Sequence, residues 1–203
     1  MLRRSSALTA LLLIAGPGFA DPIEDTGYTA GCGEEGCFVE SRGFTFFIPN
    51  AGSPPDLLAQ LAALPPVSAV AFAGEMSNMG DSSADLALTR VTRLDDDLYE
   101  GNLQAMQGDW SPVGEETPFY ISIIGLTWQE VVQDEPGDGF ALAPGEACAD
   151  GVVPGGMAIN LYRFGDDPDA DAGWQLEYID GPTMVLRDFM GDQGQVEFAR
   201  VTP

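Results

Sequence analysis

The sequence predicts a mostly β protein, in which an antiparallel meander closes into a small barrel after a smaller α+β segment. In the second half of the chain, short runs rich in aromatic and β-branched residues follow one another, and tight-turn signals such as Asp180-Gly181-Pro182 separate them. In the first half, leucines recur at helical spacing among strand-like runs. Many short strands joined by tight turns favour a meander, and a meander of this kind usually closes.

The first twenty residues are typical of a signal peptide. Arg3 and Arg4 give a basic start, an apolar run extends over residues 7–15, and small residues lead to Ala20. The run is too short to cross a bilayer, and no later stretch approaches the roughly 20 apolar residues that a membrane helix needs. We therefore predict a signal peptide over 1–20 and a mature chain that is periplasmic or secreted and has no transmembrane segment.

The segment 21–97 is expected to be α+β. After a polar, glycine-rich stretch, the run GFTFFIP at 43–49 has the aromatic and β-branched content of a strand. The run SPPDLLAQLAAL at 53–64 predicts a helix, because its leucines recur at helical spacing, Ser53 is suited to the N-cap and two prolines suit a first turn. The strand-like runs VSAVAFAGEM and ADLALTRV then flank a hairpin loop. The acidic run RLDDDLYEG at 93–101 separates this segment from the next.

The second segment, 98–203, is a string of strand-like runs with turn signals between them. After a short helix-like lead-in, LQAMQ, the candidate strands are PFYISII, LTWQEVV, GFALA, GMAINLYRF, GWQLEYI, TMVLRDF and QVEFARV. Glycine-containing turns separate the last three runs, so we expect consecutive strands to pair antiparallel.

A Gly-x-Trp stretch, Gly108-Asp109-Trp110, follows the helical lead-in, and Arg200 lies in the last candidate strand. Together with the meander between them, these features resemble the lipocalin-like (calycin) barrel over about residues 98–203. The resemblance implies that Trp110 plugs the closed end of the barrel beside Gly108 and that Arg200 packs across the tryptophan ring. A guanidinium on an indole face gains a cation–π attraction of about 0.5–2 kcal/mol.

Composition excludes several classes of function. Because Arg3 and Arg4 leave with the leader, six arginines remain against 32 acidic residues, and the formal charge of the mature chain is −26. Such a surface repels nucleic acid and anionic lipid. The chain has no histidine and no lysine, which removes Ser-His, Cys-His and Ser-Lys nucleophile pairs, histidine-ligated zinc and Schiff-base chemistry. We therefore expect no enzymatic activity and no cofactor.

The three cysteines divide into a pair and a single residue. Cys32 and Cys37 lie in CGEEGC, whose glycines allow a tight loop, and in an exported protein this arrangement predicts a disulfide. The chain-entropy model gives so small a loop only about 2 kcal/mol of stabilisation. Cys148 is expected to be a buried thiol, with a bond to another cysteine or to another chain as the alternative.

The acidic loop GDDPDADAGW places Asp167, Asp169 and Asp171 at alternate positions, as at the start of an EF-hand calcium loop. The pattern then departs from an EF-hand, with Ala172 where a glycine is needed and Tyr178 where a bidentate glutamate is needed. We expect a solvated hairpin loop, with weak calcium binding as the alternative, and no other metal site.

Other polar groups are expected to be surface features. The carboxylate pairs at 115–116 and 134–135 have the chemistry of glycoside hydrolysis, but adjacent loop residues rarely converge on one substrate atom. The acidic run 95–97 is expected to be solvated and to favour the first turn of a following helix. Met76 and Met79 indicate packing or an adaptable contact surface in preference to copper binding.

The leading functional expectation is an exported, non-catalytic binding module that takes a small apolar or amphipathic ligand, or a partner protein, at the barrel mouth. The alternative is a structural or accessory envelope protein whose barrel is filled with side chains and binds no small molecule. Interior volume discriminates between them, because a lipocalin-type ligand needs a preformed cavity of roughly 300 Å³ or more.

Overall fold

The computed structural model describes residues 21–114, 118–148, 151–152, 156–164, 171–189 and 194–201. The signal peptide predicted over 1–20 lies outside these residues. Within them the chain forms fifteen strands and two short helices, so the prediction of a mostly β protein is confirmed. Among the same residues, no helix has both the length and the apolar content that crossing a membrane requires.

The five strands of the first half close into a small barrel. Its elements are β1 (Asp21–Cys32), β2 (Gly36–Ser41), β3 (Phe44–Pro49), α1 (Pro55–Ala62), β4 (Ala69–Ser77) and β5 (Ser83–Arg93). Hydrogen bonds link the strands in the order β1-β2-β3-β5-β4, and β4 pairs back with β1. Neighbouring strands are antiparallel except β3 and β5, which are parallel. The predicted helix, strand and hairpin of this segment are confirmed. The closure of its strands into a barrel was not predicted.

Helix α1 begins without the cap that the sequence predicts at Ser53. Pro54 occupies the N-cap position, and no side chain there bonds to the helix. Ser53 is buried, and its Oγ accepts a hydrogen bond from the backbone N–H of Leu88 at 3.1 Å. The serine therefore satisfies a donor of β5, and the helix start relies on Pro55, whose fixed φ suits a first turn.

The second half forms an eight-stranded antiparallel barrel preceded by a helix. Its elements are α2 (Glu100–Met106), β6 (Gly108–Pro112), β7 (Phe119–Ile124), β8 (Thr127–Val132), β9 (Glu135–Gly145), β10 (Ala147–Cys148), β11 (Gly151–Val152), β12 (Met157–Arg163), β13 (Ala172–Asp180), β14 (Thr183–Asp188) and β15 (Gln195–Arg200). The strands follow the order β6-β7-β8-β9-β12-β13-β14-β15, and β15 closes the barrel by pairing with β6. The β10–β11 hairpin stands apart. The antiparallel barrel predicted for this half is confirmed.

The two ends of the large barrel differ in what lies there. One end, which we call the helix end, receives α2 at the start of β6 and contains the β7–β8 and β13–β14 turns. The opposite end, which we call the loop end, contains the β8–β9 turn and the last residues of β12.

Two clusters of buried side chains form the cores. The core of the small barrel contains Cys37, Val39, Phe46, Ile48, Leu61, Val70, Phe72, Leu86, Leu88 and Val91. The core of the large barrel is a separate cluster that also includes Tyr28, Val67 and Ala69 from the first half of the chain. The two barrels therefore pack against each other through apolar contacts.

The predicted disulfide is confirmed. Cys32 and Cys37 are bonded and face each other across the β1–β2 hairpin. Cys148 is buried on β10, as expected, and its thiol donates to the carbonyl of Trp174 with Sγ and O 3.4 Å apart.

Candidate functional site

Trp110 lies at the helix end of the large barrel. Its side chain is fully buried, and Nε1–H donates to the carbonyl of Met106 at 2.7 Å. Met106 is the last residue of α2, where helix carbonyls have no partner within the helix. The indole therefore fills the barrel and satisfies a helix carbonyl.

Arg200 covers that indole. Its Cζ lies 4.3 Å from the centroid of the Trp110 ring. Nη1 donates to the carbonyl of Gln107 at 2.5 Å, and Nη2 donates to the carbonyl of Ala105 at 2.7 Å. A cation at this position is favourable because the last carbonyls of a helix carry partial negative charge.

Gly108 permits the close approach of the guanidinium. Its φ of +111° lies in the left-handed region, and a Cβ on it would stand 2.8 Å from Nη1 of Arg200. A side chain there would strain the backbone and displace the arginine. The structure thus brings Gly108, Trp110 and Arg200 together. The polar groups of Trp110 and Arg200 donate hydrogen bonds to carbonyls at the end of α2, which is a structural role.

Bulky side chains occupy the interior of the large barrel. All eight strands contribute at least one apolar residue that is no more than 6% exposed. The larger of these residues are Trp110, Ile121, Ile123, Trp128, Phe140, Leu142, Met157, Ile159, Leu161, Leu176, Met184, Leu186 and Phe198. An eight-stranded barrel is just wide enough for side chains to fill, and these side chains are all buried in it.

One polar atom of this interior stands out. Trp128 lies opposite Ile123 on one side and Phe140 on the other, so it shares their core face. Its Nε1 is buried and has no hydrogen-bond acceptor within the described residues. A buried donor without an acceptor costs about 1–3 kcal/mol. An acceptor atom brought by a small molecule would remove that cost.

Polar side chains lie at the loop end of the large barrel. Arg163 lies opposite Phe140 and therefore on the same face of the sheet as this core residue. Its guanidinium forms an ion pair with Asp138 of β9. Burial raises the pKa of Glu130, and the negative charge of Asp138 raises it further. The positive charge of Arg163 partly offsets this rise. The charged side chains at the loop end can therefore form hydrogen bonds to a polar group, although the guanidinium of Arg163 is already paired with Asp138.

The weak calcium candidate is described in part. Asp167 and Asp169 lie outside the described residues. Asp171 precedes β13, and its Oδ1 accepts a hydrogen bond from the backbone N–H of Arg163 at 3.0 Å. In the part of the chain that the structure describes, no three His, Cys, Asp or Glu side chains are grouped so that they could hold a metal ion. The role found for Asp171 is to bond to the backbone at the end of β12.

The remaining candidates from the sequence are dispersed. The pair 115–116 lies outside the described ranges, and Asp134 and Glu135 are exposed at the β8–β9 turn. Met76 packs against the core of the small barrel, while Met79 is 58% exposed. The two methionines therefore do not share one environment.

The acidic run 95–97 contains a residue that links the barrels. Oδ1 of Asp97 accepts hydrogen bonds from the backbone N–H groups of Tyr99 at 2.9 Å and Glu100 at 2.8 Å, at the start of α2. It also accepts from the hydroxyl of Tyr28 at 3.1 Å. Burial and the charge of Asp97 raise the pKa of Tyr28, so this hydroxyl stays a donor. The expectation that this run favours the first turn of a following helix is confirmed for Asp97. The expectation that Asp97 is simply solvated is wrong, because it also accepts the bond from Tyr28 at the junction.

Two glutamates that sequence reasoning missed complete this junction. Oε2 of Glu100 accepts from the backbone N–H of Ala69 at 2.9 Å, and Oε1 pairs with Arg93 at 2.5 Å. Oε2 of Glu40 accepts from the backbone N–H of Leu126 at 3.0 Å. Burial raises the pKa of Glu40, and the bond from Leu126 partly offsets the rise. Neither glutamate belongs to a motif, so no local signal marks them.

Comparison of the chain with protein-family models, with curated proteins and with solved structures finds no match. The large barrel is compatible with a lipocalin-like architecture. Function therefore has to be inferred from geometry and composition.

Proposed function

We propose that the protein is an exported, non-catalytic accessory protein whose large barrel is filled by its own side chains and which binds a partner protein through its outer surface. The observation that carries this proposal is the packing of the barrel interior, to which every strand contributes buried apolar side chains. A cup that holds a small molecule needs a preformed cavity of roughly 300–1,000 Å³. Here tryptophan, phenylalanine and branched aliphatic side chains occupy the positions that would line such a cup.

Other observations support the remaining parts of the proposal. The leader pattern over 1–20 and the bond between Cys32 and Cys37 support export, since disulfides persist in oxidising compartments. The lack of histidine and lysine supports a non-catalytic role. The contact of Arg200 with Trp110 at the helix end supports a lipocalin-like barrel.

Titration of the mature protein with an environment-sensitive apolar dye tests whether the barrel is filled. We expect no saturable dye fluorescence from the barrel interior, so any dye signal should be lost when the exposed apolar side chain of Leu98 is replaced by serine. We also expect native mass spectrometry of protein from its own host to give the unliganded mass. The control is Leu186→Ala, which removes a side chain that is 0% exposed in the core. Such a truncation leaves an apolar cavity that stays dry and admits a molecule of about the size of benzene, so benzene should raise the melting temperature of this variant and not that of the parent protein.

Stoichiometric uptake of the dye by the parent protein that Leu98→Ser leaves intact, or a co-purified apolar molecule that the dye displaces, would reject the filled barrel. Benzene binding by Leu186→Ala and not by the parent protein would support it.

A second function, the binding of a small molecule within the barrel, is favoured by the Nε1 of Trp128. This indole and that of Trp110 are both at most 2% exposed in the same barrel, and only Trp110 has an acceptor within the described residues. In a filled barrel, Trp128→Phe should therefore cost less free energy of unfolding than Trp110→Phe, because it removes a donor that has no partner. An equal or greater cost of Trp128→Phe would indicate a bound acceptor and favour this second function.

A further inference from the structure

An open groove of about 570 Å³, the α2 groove, lies beside helix α2 at the helix end of the large barrel. Leu98 and Tyr99 line it from the chain before α2, and Tyr178 and Ile179 line it from β13. Met157 and Leu176, which belong to the core of the large barrel, also form part of its wall. The side chain of Leu98 is 78% exposed and that of Tyr178 is 50% exposed. Large apolar side chains exposed around a concave surface are typical of interaction sites.

Carboxylates surround this apolar surface. Glu146 and Glu177 line the α2 groove, and the hydroxyl of Tyr178 donates to Asp180 at 3.1 Å. Glu177 is neutralised by Arg187 at 2.5 Å. None of the described residues that line the groove is basic. Glu146 in the wall of the groove, and Asp180 beside its lining residue Tyr178, are therefore the acidic groups available to a partner.

All six arginines of the mature chain lie within the described ranges, and each forms an ion pair or hydrogen bonds with other groups of the same chain. Five form ion pairs: Arg42, Arg90, Arg93, Arg163 and Arg187. Arg200 lies over Trp110 and donates to carbonyls at the end of α2. Since the chain has no lysine, a surface that complements the α2 groove has to supply its own positive charge.

We propose that the α2 groove binds a basic amphipathic segment of a partner protein. The apolar side chains of this segment contact Leu98 and Tyr178, and its arginines or lysines face Glu146 and Asp180. This inference rests on the proposed function, because it gives the partner a place and a chemistry. An apolar stripe flanked by basic residues matches both properties of the groove.

Charge disfavours two other occupants of the α2 groove. A second copy of the mature chain also carries a formal charge of −26, so two grooves facing each other would bring like charges together. An anionic membrane surface is repelled for the same reason. A cationic peptide segment is attracted by the acidic surface that repels a second copy of the chain and an anionic membrane.

Binding of a synthetic peptide to the full mature protein tests the proposal by fluorescence anisotropy. The probe is a labelled amphipathic peptide with leucine and tryptophan on one helical face and arginine on the other. A scrambled peptide of the same composition controls for charge alone. The groove variants are Leu98→Ser and Tyr178→Ser, and the matched control is Ile124→Ser, since Ile124 is 73% exposed on the same barrel outside the groove.

We expect each groove variant to weaken binding of the amphipathic peptide by about tenfold and Ile124→Ser to leave it unchanged. Glu146→Gln should weaken binding at low salt and reduce its salt dependence, whereas Glu135→Gln, at an exposed site on the loop end, should change neither. Because the replaced apolar side chains are exposed, the urea midpoints of the variants should match that of the parent protein.

Equal affinity for the scrambled peptide, or unchanged affinity in both groove variants, would overturn the assignment of the α2 groove. Self-association that Leu98→Ser abolishes would identify a second copy as the occupant and would overturn it as well. The dye titration separates these failures from failure of the proposed function, since dye uptake inside the barrel would reject the filled barrel whatever the peptide does.

Discussion

Replacing Trp110 by alanine removes a large buried side chain at the helix end of the large barrel. The indole is 0% exposed, and burying or deleting so large a ring changes stability by about 3–5 kcal/mol. The variant also leaves the carbonyl of Met106 without the donor that stands 2.7 Å away in the parent. We therefore expect the free energy of unfolding to fall by about 3–5 kcal/mol, a large part of the stability of a typical domain.

Arg200→Ala should cost less than Trp110→Ala. It loses a cation–π contact of about 0.5–2 kcal/mol, while the carbonyls of Ala105 and Gln107 lose donors near solvent, where water can replace them. Because Trp110→Ala already removes the cation–π contact, the double variant should lose about 1 kcal/mol less than the sum of the two single variants.

Urea unfolding followed by far-ultraviolet circular dichroism measures all four proteins of this cycle. Arg187→Ala provides a matched arginine, because Arg187 forms an exposed ion pair with Glu177 and makes no described contact with Trp110. It should cost about 0.2–1 kcal/mol and add to Trp110→Ala. If the Trp110 and Arg200 effects add within about 0.5 kcal/mol, the two side chains are energetically independent and the closure of the barrel by this pair is refuted.

Three further predictions concern the junction, the pH response and the disulfide. Tyr28→Phe removes the hydrogen bond to Asp97 and should lower the free energy of unfolding by about 1–2 kcal/mol in urea titrations, and an unchanged midpoint would show that this bond does not stabilise the junction. Burial raises the pKa of Glu40 in the folded state, so its contribution to stability is fully present below the unfolded pKa of about 4.3 and is lost as pH rises through the folded pKa. Repulsion among carboxylates acts in the same direction, so the melting temperature at low salt should rise from pH 8 to pH 5. This rise should be less steep in Glu40→Gln and less steep with added salt. A steady fall of the melting temperature would contradict both causes. Peptide mapping without reductant should join Cys32 to Cys37 and leave the third cysteine open to alkylation only after unfolding, and any link to that third cysteine would contradict the assignment.

The features that could be predicted from the sequence are those that local patterns encode. The aromatic run GFTFFIP contains β3, and the turn at Asp180-Gly181-Pro182 joins β13 to β14. The cysteine spacing in CGEEGC led to the disulfide, because two glycines let a short hairpin close. Each of these patterns involves residues that are close in the chain, so the local structure that it predicts depends little on contacts with distant segments.

The features that could not be predicted involve partners far apart in the chain. Closure of the small barrel depends on the parallel pairing of β3 with β5, which a helix and a whole strand separate. Ser53 has the residue type of a helix cap, yet it bonds to Leu88 because folding brings β5 beside it. Glu40 has no motif, and its acceptor role exists because the second barrel places Leu126 against it.

The sequence by itself determined the mostly β class, the strongly acidic surface and the narrow range of available chemistry, because these depend on residue types and on local periodicity. Only the tertiary structure decided that all eight strands of the large barrel bury apolar side chains and that Asp97 joins the two barrels. It also decided that Leu98 and Tyr178 share one acid-rimmed groove. The physical reason is that strand closure sets which side chains meet, and the register of distant strands decides that closure.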